Sequence, residues 1–421
     1  MLIRNAKIVD LNGPNHGKTL DVRIEGGLIA ELGEKLKAKE KEEVKDLSGL
    51  HISPGFTDLG AYLGDPGFEE REDIASLRAA AAAGGYTSVA VLPNTDPVRQ
   101  SVADVAYLIR QNGAHPTDLI PLAALSKNLD GKDMTEMLEL NDAGAPVFTD
   151  GPEHKVSGSL LKRTLEYSKV RDLVVMISPY DEQLVPDGQM HEGEVSTRLG
   201  LRGIPAMSET IPLKEAMDIL EYTGGVLYVH LLSTEAGVAE VRRAKAQGLS
   251  VYATVSAHHL QFTAEELGSF DPNFKMLPPL RGESDRMALI EGLKDGTIDA
   301  IVSNHFARHG EEKDLEFSYA DFGAIGLQTA FRQALLALKD HLSLEEIVAR
   351  FSTRPTRLLG PDPLHLRSGA PANLTLFTPD GEEEFLATEL KGKTNNSPLL
   401  GKTLPGAILG VVNNGVVHWN E

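Results

Sequence analysis

The 421-residue chain contains no cysteine. Disulfides, thiolate metal sites and a cysteine nucleophile are therefore excluded. Long apolar runs are also missing. Stretches such as 173–177 are far too short to span a bilayer, which takes about 20 residues. The opening residues, Met1 to Lys7, lack the extended apolar core of a signal peptide. A cytoplasmic protein is the expectation. Excess positive charge is absent as well: the formal net charge is −20. That argues against nucleic acid or an anionic membrane as partner. Solubility is the plain explanation of the acidity, and a basic protein partner the sharper one.

What is present is ordinary for a globular protein, with 41% hydrophobic and 24% charged residues. The length suits one large domain plus a small one. Residues 2–9 alternate as a strand, and 21–24 and 28–32 flank Gly26-Gly27 as a hairpin. Residues 35–45, mostly Lys and Glu, read as a solvated loop. The far end has the same β character, at 373–377, 407–412 and 415–419. Both termini are expected to build one small β-sandwich, from 1–53 and 365–421.

Between them, residues 54–364 alternate strand and helix. Apolar strands are expected at 57–63, 88–93, 119–125, 146–150, 173–177, 226–232, 250–255 and 300–304. Helices are expected at 74–83, 160–167, 235–246 and 284–293, with closing helices at 327–338 and 344–351. Eight such strands fit an α/β fold, a closed (β/α)8 barrel. An open doubly wound sheet is the alternative, and no Gly-rich phosphate turn supports it. A barrel places its site at the C-terminal strand ends.

Several segments together resemble the bacterial dihydroorotases of the amidohydrolase superfamily. They are Pro54-Gly55-Phe56-Thr57-Asp58, Glu72-Asp73-Ile74, Leu92-Pro93-Asn94-Thr95-Asp96-Pro97, Glu192-Gly193-Glu194, Pro278-Pro279-Leu280-Arg281 and Ser368-Gly369-Ala370-Pro371-Ala372-Asn373. The resemblance implies a metal-dependent barrel that closes carbamoyl aspartate to dihydroorotate, with zinc polarising the amide and activating water. It also says where the ligands belong. A His-x-His pair should end the first strand, where Gly60 and Tyr62 stand. The fourth-strand carboxylate has Asp150, the fifth-strand His position has Pro179 beside Ser178, and the sixth-strand His position has Leu231. The base-and-ligand Asp of the eighth strand is Asn304, an amide that accepts no proton at pH 7. On the substrate side, Gly64 replaces an Arg, Leu277 replaces an Asn, and Asn94 alone matches.

Zinc needs three or four N, O or S donors, and these positions supply the Asp150 carboxylate. The reading is therefore no zinc cofactor and no catalytic residue. Asp150 is read as a turn or cap residue before Gly151. His230 precedes the Leu231 position by one residue, and period-2 alternation points it outward unless the strand is bulged. His154, His258, His259, His305 and His309 read either as a relocated metal site or as inherited loop residues that bond locally. Tyr62, Leu231, Leu277 and Phe306 read either as drift or as bulk filling an old pocket. The leading expectation is a catalytically silent dihydroorotase homologue that assembles with aspartate carbamoyltransferase. The alternatives are a divergent hydrolase using Asp150, His258, His305 or His309, and a self-assembling structural protein.

Overall fold

The computed structural model describes residues 1–360 and 364–420. Eight parallel strands carry the middle of the chain: Phe56–Ala61, Tyr86–Val91, Asp118–Pro121, Val147–Phe148, Val174–Ile177, Val226–Val229, Val251–Ser256 and Ala300–Val302. They are called the first to eighth barrel strands below. Ladders join the first three and the last five.

Two seams close the ring. At the third and fourth strands, Ala123 N donates to Val147 O at 3.1 Å and Thr149 N to Ala123 O at 2.9 Å. At the eighth and first, Tyr62 N donates to His305 O at 3.0 Å. Beneath it the buried Asp58 carboxylate accepts from Ser303 N at 2.7 Å and from its hydroxyl at 2.8 Å. The sheet is a cylinder, and the open doubly wound arrangement does not apply.

Local chemistry fixes the outer helices. Ile74–Ala83 begins where the Asp73 carboxylate accepts from Ser76 N at 2.8 Å, and Glu235–Ala246 where the Thr234 hydroxyl accepts from Gly237 N at 2.9 Å. Their buried faces, Leu77, Ala81, Val238 and Val241, join Val89, Leu119, Val175 and Leu227 in one core between helices and strands. Inside the cylinder a separate apolar plug forms from Leu59, Ala90, Leu122, Val147, Met176 and Val302. As in other barrels, the interior is filled and not a pore.

The two ends of the chain interleave in one eight-stranded sheet. His51–Pro54 lies parallel to Leu2–Ile8 on one side and antiparallel to Leu374–Phe377 on the other. Ile3, Val22, Ile52, Leu374, Leu376 and Val412 share its core. One detail differs from the expectation of a loop over 35–45. Val44–Asp46 is a short strand, paired in parallel with Leu2, Ile3 and Arg4. A partner far along the chain supplied the order that a Lys/Glu-rich run does not show by itself. Residues 361–363, which the expected barrel range of 54–364 includes, lie outside the described residues.

Candidate functional site

At the C-terminal strand ends, most positions where the resemblance expects a ligand are engaged in something else, and the fifth-strand pair Ser178 and Pro179 only lines a small gap. Gly60 has φ +102°, and a Cβ built there would lie 2.7 Å from the ring of His230. His230 therefore occupies the space a first-strand ligand needs. This corrects the expected outward orientation. Leu231, next in the chain, has φ +62°. His230 shares the inward face of Tyr228, two residues back, while Leu227 and Val229 face the outer core; the left-handed residue after it breaks the alternation, so Leu231 turns into the barrel as well. His230 is 1% exposed, and its Nδ1 lies 2.8 Å from the Tyr228 hydroxyl. Burial with no counterion lowers its pKa to about 3. Its Nε2 has no protein partner.

Tyr62 does not aim at a metal either. Its ring lies on Phe306 with centroids 3.5 Å apart and planes 3° from parallel. The Arg308 guanidinium sits 3.9 Å from the Phe306 centroid. Burial raises the Tyr62 phenol well above its ordinary pKa, so it stays neutral. Asn304, at φ +49°, a conformation Asn tolerates, donates from Nδ2 to Leu277 O at 3.1 Å.

Asp150 is buried, and its carboxylate is fully occupied. Oδ1 accepts from Leu125 N at 3.0 Å and Ser126 N at 2.8 Å, and Oδ2 from the Ser126 hydroxyl at 2.6 Å. It holds the loop after the third strand, 24 residues upstream, and does not cap its own turn before Gly151. Asp150→Ala is expected to cost about 3 kcal/mol, because the buried Ser126 N–H and hydroxyl lose their acceptor and Leu125 N keeps only Thr149 O. Urea denaturation checks this.

Gly64 shows how the expected Arg position was lost. Gly64 N donates to Glu72 O at 3.0 Å, and Phe68 N to Gly64 O at 2.6 Å. A Cβ at Gly64 would fall 2.2 Å from Phe68 O. The loop 64–72 folds back so tightly that no side chain fits there. Asn94 survives but faces inward. Its Nδ2 donates to Asp150 O at 3.1 Å, and its Oδ1 is buried without a partner.

The remaining space is small. A cavity of about 20 Å³ is lined by Ser178, Pro179, His230, Leu231 and Leu277. Another of about 20 Å³ lies among Tyr62, Gly64, Arg71, Asn94 and Phe306. Each holds roughly one water molecule. Sites for small organic molecules run from about 300 Å³ upward.

The histidines do not converge. His305 Nε2 lies 3.1 Å from the buried Glu72 carboxylate, and its Nδ1 faces the backbone N–H groups of Gly326 and Leu327 at 3.3 and 3.4 Å. Nδ1 is thus the acceptor and Nε2 the donor. His259 Nε2 bonds Pro278 O at 3.0 Å. His258 is fully buried with neither ring nitrogen paired. His309, itself exposed, caps a short helix, Gly310–Lys313, and His154 is exposed. Among the described residues, no group of three or more His, Asp or Glu side chains gathers within reach of a common ion. The donors present do not fit a zinc centre.

One buried network escaped the sequence reading. Glu209, on the helix Met207–Thr223, accepts from the backbone N–H and hydroxyl groups of both Ser233 and Thr234. Arg281 Nε donates to the Ser233 hydroxyl at 3.2 Å. Burial raises the Glu209 pKa, opposed by Arg281. The available signal was Arg281 itself, a guanidinium in an apolar motif that needs a compensating charge nearby.

Residues 49–236 match the family model described as dihydro-orotase-like. Over 421 residues, the chain is 36% identical to a dihydroorotase of Geotalea daltonii, covering 99% of each. It is 37% identical to a dihydroorotase of Ruminiclostridium cellulolyticum, over 96% of this chain and 95% of that one. Among solved structures it resembles the L-hydantoinase (dihydropyrimidinase) from Arthrobacter aurescens, with TM-score 0.86 and 22% identity over 99% of this chain and 95% of that one. The dihydropyrimidinase from Brevibacillus agri gives 0.82 at 20% identity, over 99% and 94%. At such identities the structural likeness speaks to the fold alone.

Proposed function

The chain belongs to the dihydroorotase-like family of amidohydrolases, and from that premise we propose that it is a catalytically silent member, kept as an assembly partner of aspartate carbamoyltransferase in pyrimidine synthesis. The observation that carries the silent half is the volume left at the strand ends. Two gaps of about 20 Å³ each stand where a substrate needs several hundred. Asn304 at the base position and the fully bonded Asp150 support the same reading. Silence with an intact frame is understandable physically. A polar cavity whose carboxylates had lost their cation would cost several kcal/mol, of order 3–5 for one unpaired buried charge. Filling it with Tyr62, Phe306, Leu231 and the neutral His230 removes that cost. The partner half rests on the family resemblance, which includes non-catalytic chains assembled with the carbamoyltransferase.

Two measurements test this. The purified full chain, supplied with zinc, is expected to cyclise carbamoyl aspartate no faster than buffer and to retain no stoichiometric metal by elemental analysis. Turnover well above background, or one firmly held zinc per chain, sinks the silent reading. Tagged chain recovered from its own cells is expected to bring the carbamoyltransferase with it in fixed ratio. Recovery of the chain alone removes the partner half and leaves self-assembly, which sizing of the isolated protein reads directly.

A further inference from the structure

The largest cavity described lies away from the filled strand ends. It measures about 400 Å³, within the range of about 300–1,000 Å³ typical of small-molecule sites. Its walls come from the turns after the first and second barrel strands and from the helix Val102–Arg110. Asp65, Thr95, Arg99, Asp104, Tyr107 and Arg110 contribute its polar groups.

Arg99 is the unusual member. It is 2% exposed, and its Nη1 donates to Val91 O and Leu92 O, at 3.4 and 2.8 Å. Its Nη2 has no partner. Burial lowers its pKa to about 10, while Asp104 and Asp65 lie near enough to favour its charge without bonding to it. A buried guanidinium with no hydrogen-bonded counterion is costly, and here one of its nitrogens is left unpaired. The two nearby carboxylates act on Arg99 only at a distance. Asp104 is spent on the helix start, its Oδ2 accepting from Gln100 N at 3.2 Å and Ser101 N at 2.9 Å. Asp65 is held above the usual carboxylate range by burial and by Glu69 and Asp73, with Arg99 opposing. Tyr107, 40% exposed, offers a ring at the rim beside the exposed Arg110.

We propose that this cavity binds a small organic oxyanion, a carboxylate or a phosphate monoester carried on a planar ring. Arg99 forms the floor, Arg110 approaches the same charge from the rim, and Tyr107 covers the ring. Guanidinium pairs recognise both anions through charge-assisted hydrogen bonds, and a tyrosine face suits a flat apolar body. The site is separate from the strand-end cavities, so it stands whether or not the chain is catalytically silent.

Calorimetric titration of the full chain at low salt tests it, with phenyl phosphate and benzoate as probes and benzamide as the uncharged control. At least one anion is expected to bind with millimolar affinity or better, and benzamide is not. The preferred anion distinguishes phosphate from carboxylate as the natural head group. Arg110→Ala, an exposed substitution that leaves the core alone, is expected to weaken binding roughly tenfold. Tyr107→Ala is expected to weaken phenyl phosphate relative to inorganic phosphate. Arg99→Met is expected to abolish binding, with circular dichroism reporting the fold. No heat from either anion, equal binding of benzamide, or an unchanged affinity in Arg110→Ala would overturn the proposal.

Discussion

A variant carrying Gly60→His and Tyr62→His, which rebuilds a His-x-His pair at the end of the first barrel strand, is expected to lose roughly 3–6 kcal/mol of stability and to hold no zinc. Three effects add. Histidine at φ +102° is strained by about 1–3 kcal/mol. Its Cβ falls 2.7 Å from the His230 ring, so a fully buried side chain must move. Replacing Tyr62 also breaks its parallel stack on Phe306, worth about 1 kcal/mol beyond the area it buries. Urea denaturation and elemental analysis of the dialysed variant check both halves. A soluble variant of unchanged stability with one bound zinc would show that the site was merely unligated and not rebuilt.

Acidification is expected to destabilise the protein steeply between pH 6.5 and about 4. His230, His258 and His259 are buried and neutral, with pKa values lowered to about 3, 3 and 4. Burial is the leading cause for each, with the neighbours His259 and His305 adding for His258. The sign follows from proton counting. In this window the unfolded chain binds protons at these positions and the folded chain does not, so stability falls as pH falls. Each histidine contributes about 1.4 kcal/mol per pH unit. Asp58, Asp150 and Glu209, raised by burial, take up protons earlier when folded and pull the other way. A difference measurement isolates the histidine part. In His258→Leu the slope of unfolding free energy against pH is expected to be shallower by about 1.4 kcal/mol per unit. Denaturant curves at half-unit intervals read it, and an unchanged slope contradicts the neutral buried assignment.

Much of the frame could be read from the residues because local and global signals agreed. The helices Ile74–Ala83, Glu235–Ala246 and Leu344–Phe351 lie at the expected bounds, since Asp73, Thr234 and Ser343 cap them. The eight barrel strands are short apolar runs rich in Val and Ile, which few other structures accommodate. The misreadings all involve influences from outside the segment. Val44–Asp46 needed Leu2–Arg4 to become a strand. His230 lies on the inward face with Tyr228, and the left-handed backbone of Leu231 brings the next side chain inward too, a break no periodicity reveals. Asp150 found its donors on another loop, and Gly64 was closed off by a chain reversal over residues 64–72. The identities at the expected ligand positions were plain in the sequence. How their space was refilled was not, because filling depends on side chains from five or more strand ends meeting in three dimensions.

The interleaved terminal sheet also sets a schedule for synthesis. Pro54 pairs with Leu374, so the outer edge of His51–Pro54 waits for about 320 residues to be translated, roughly 15–65 s at about 5–20 residues per second. Throughout that interval an apolar strand edge stands open on the ribosome-bound chain, a template for pairing with any neighbour emerging nearby. Co-translational protection of the first fifty residues is therefore expected to raise the yield of this protein.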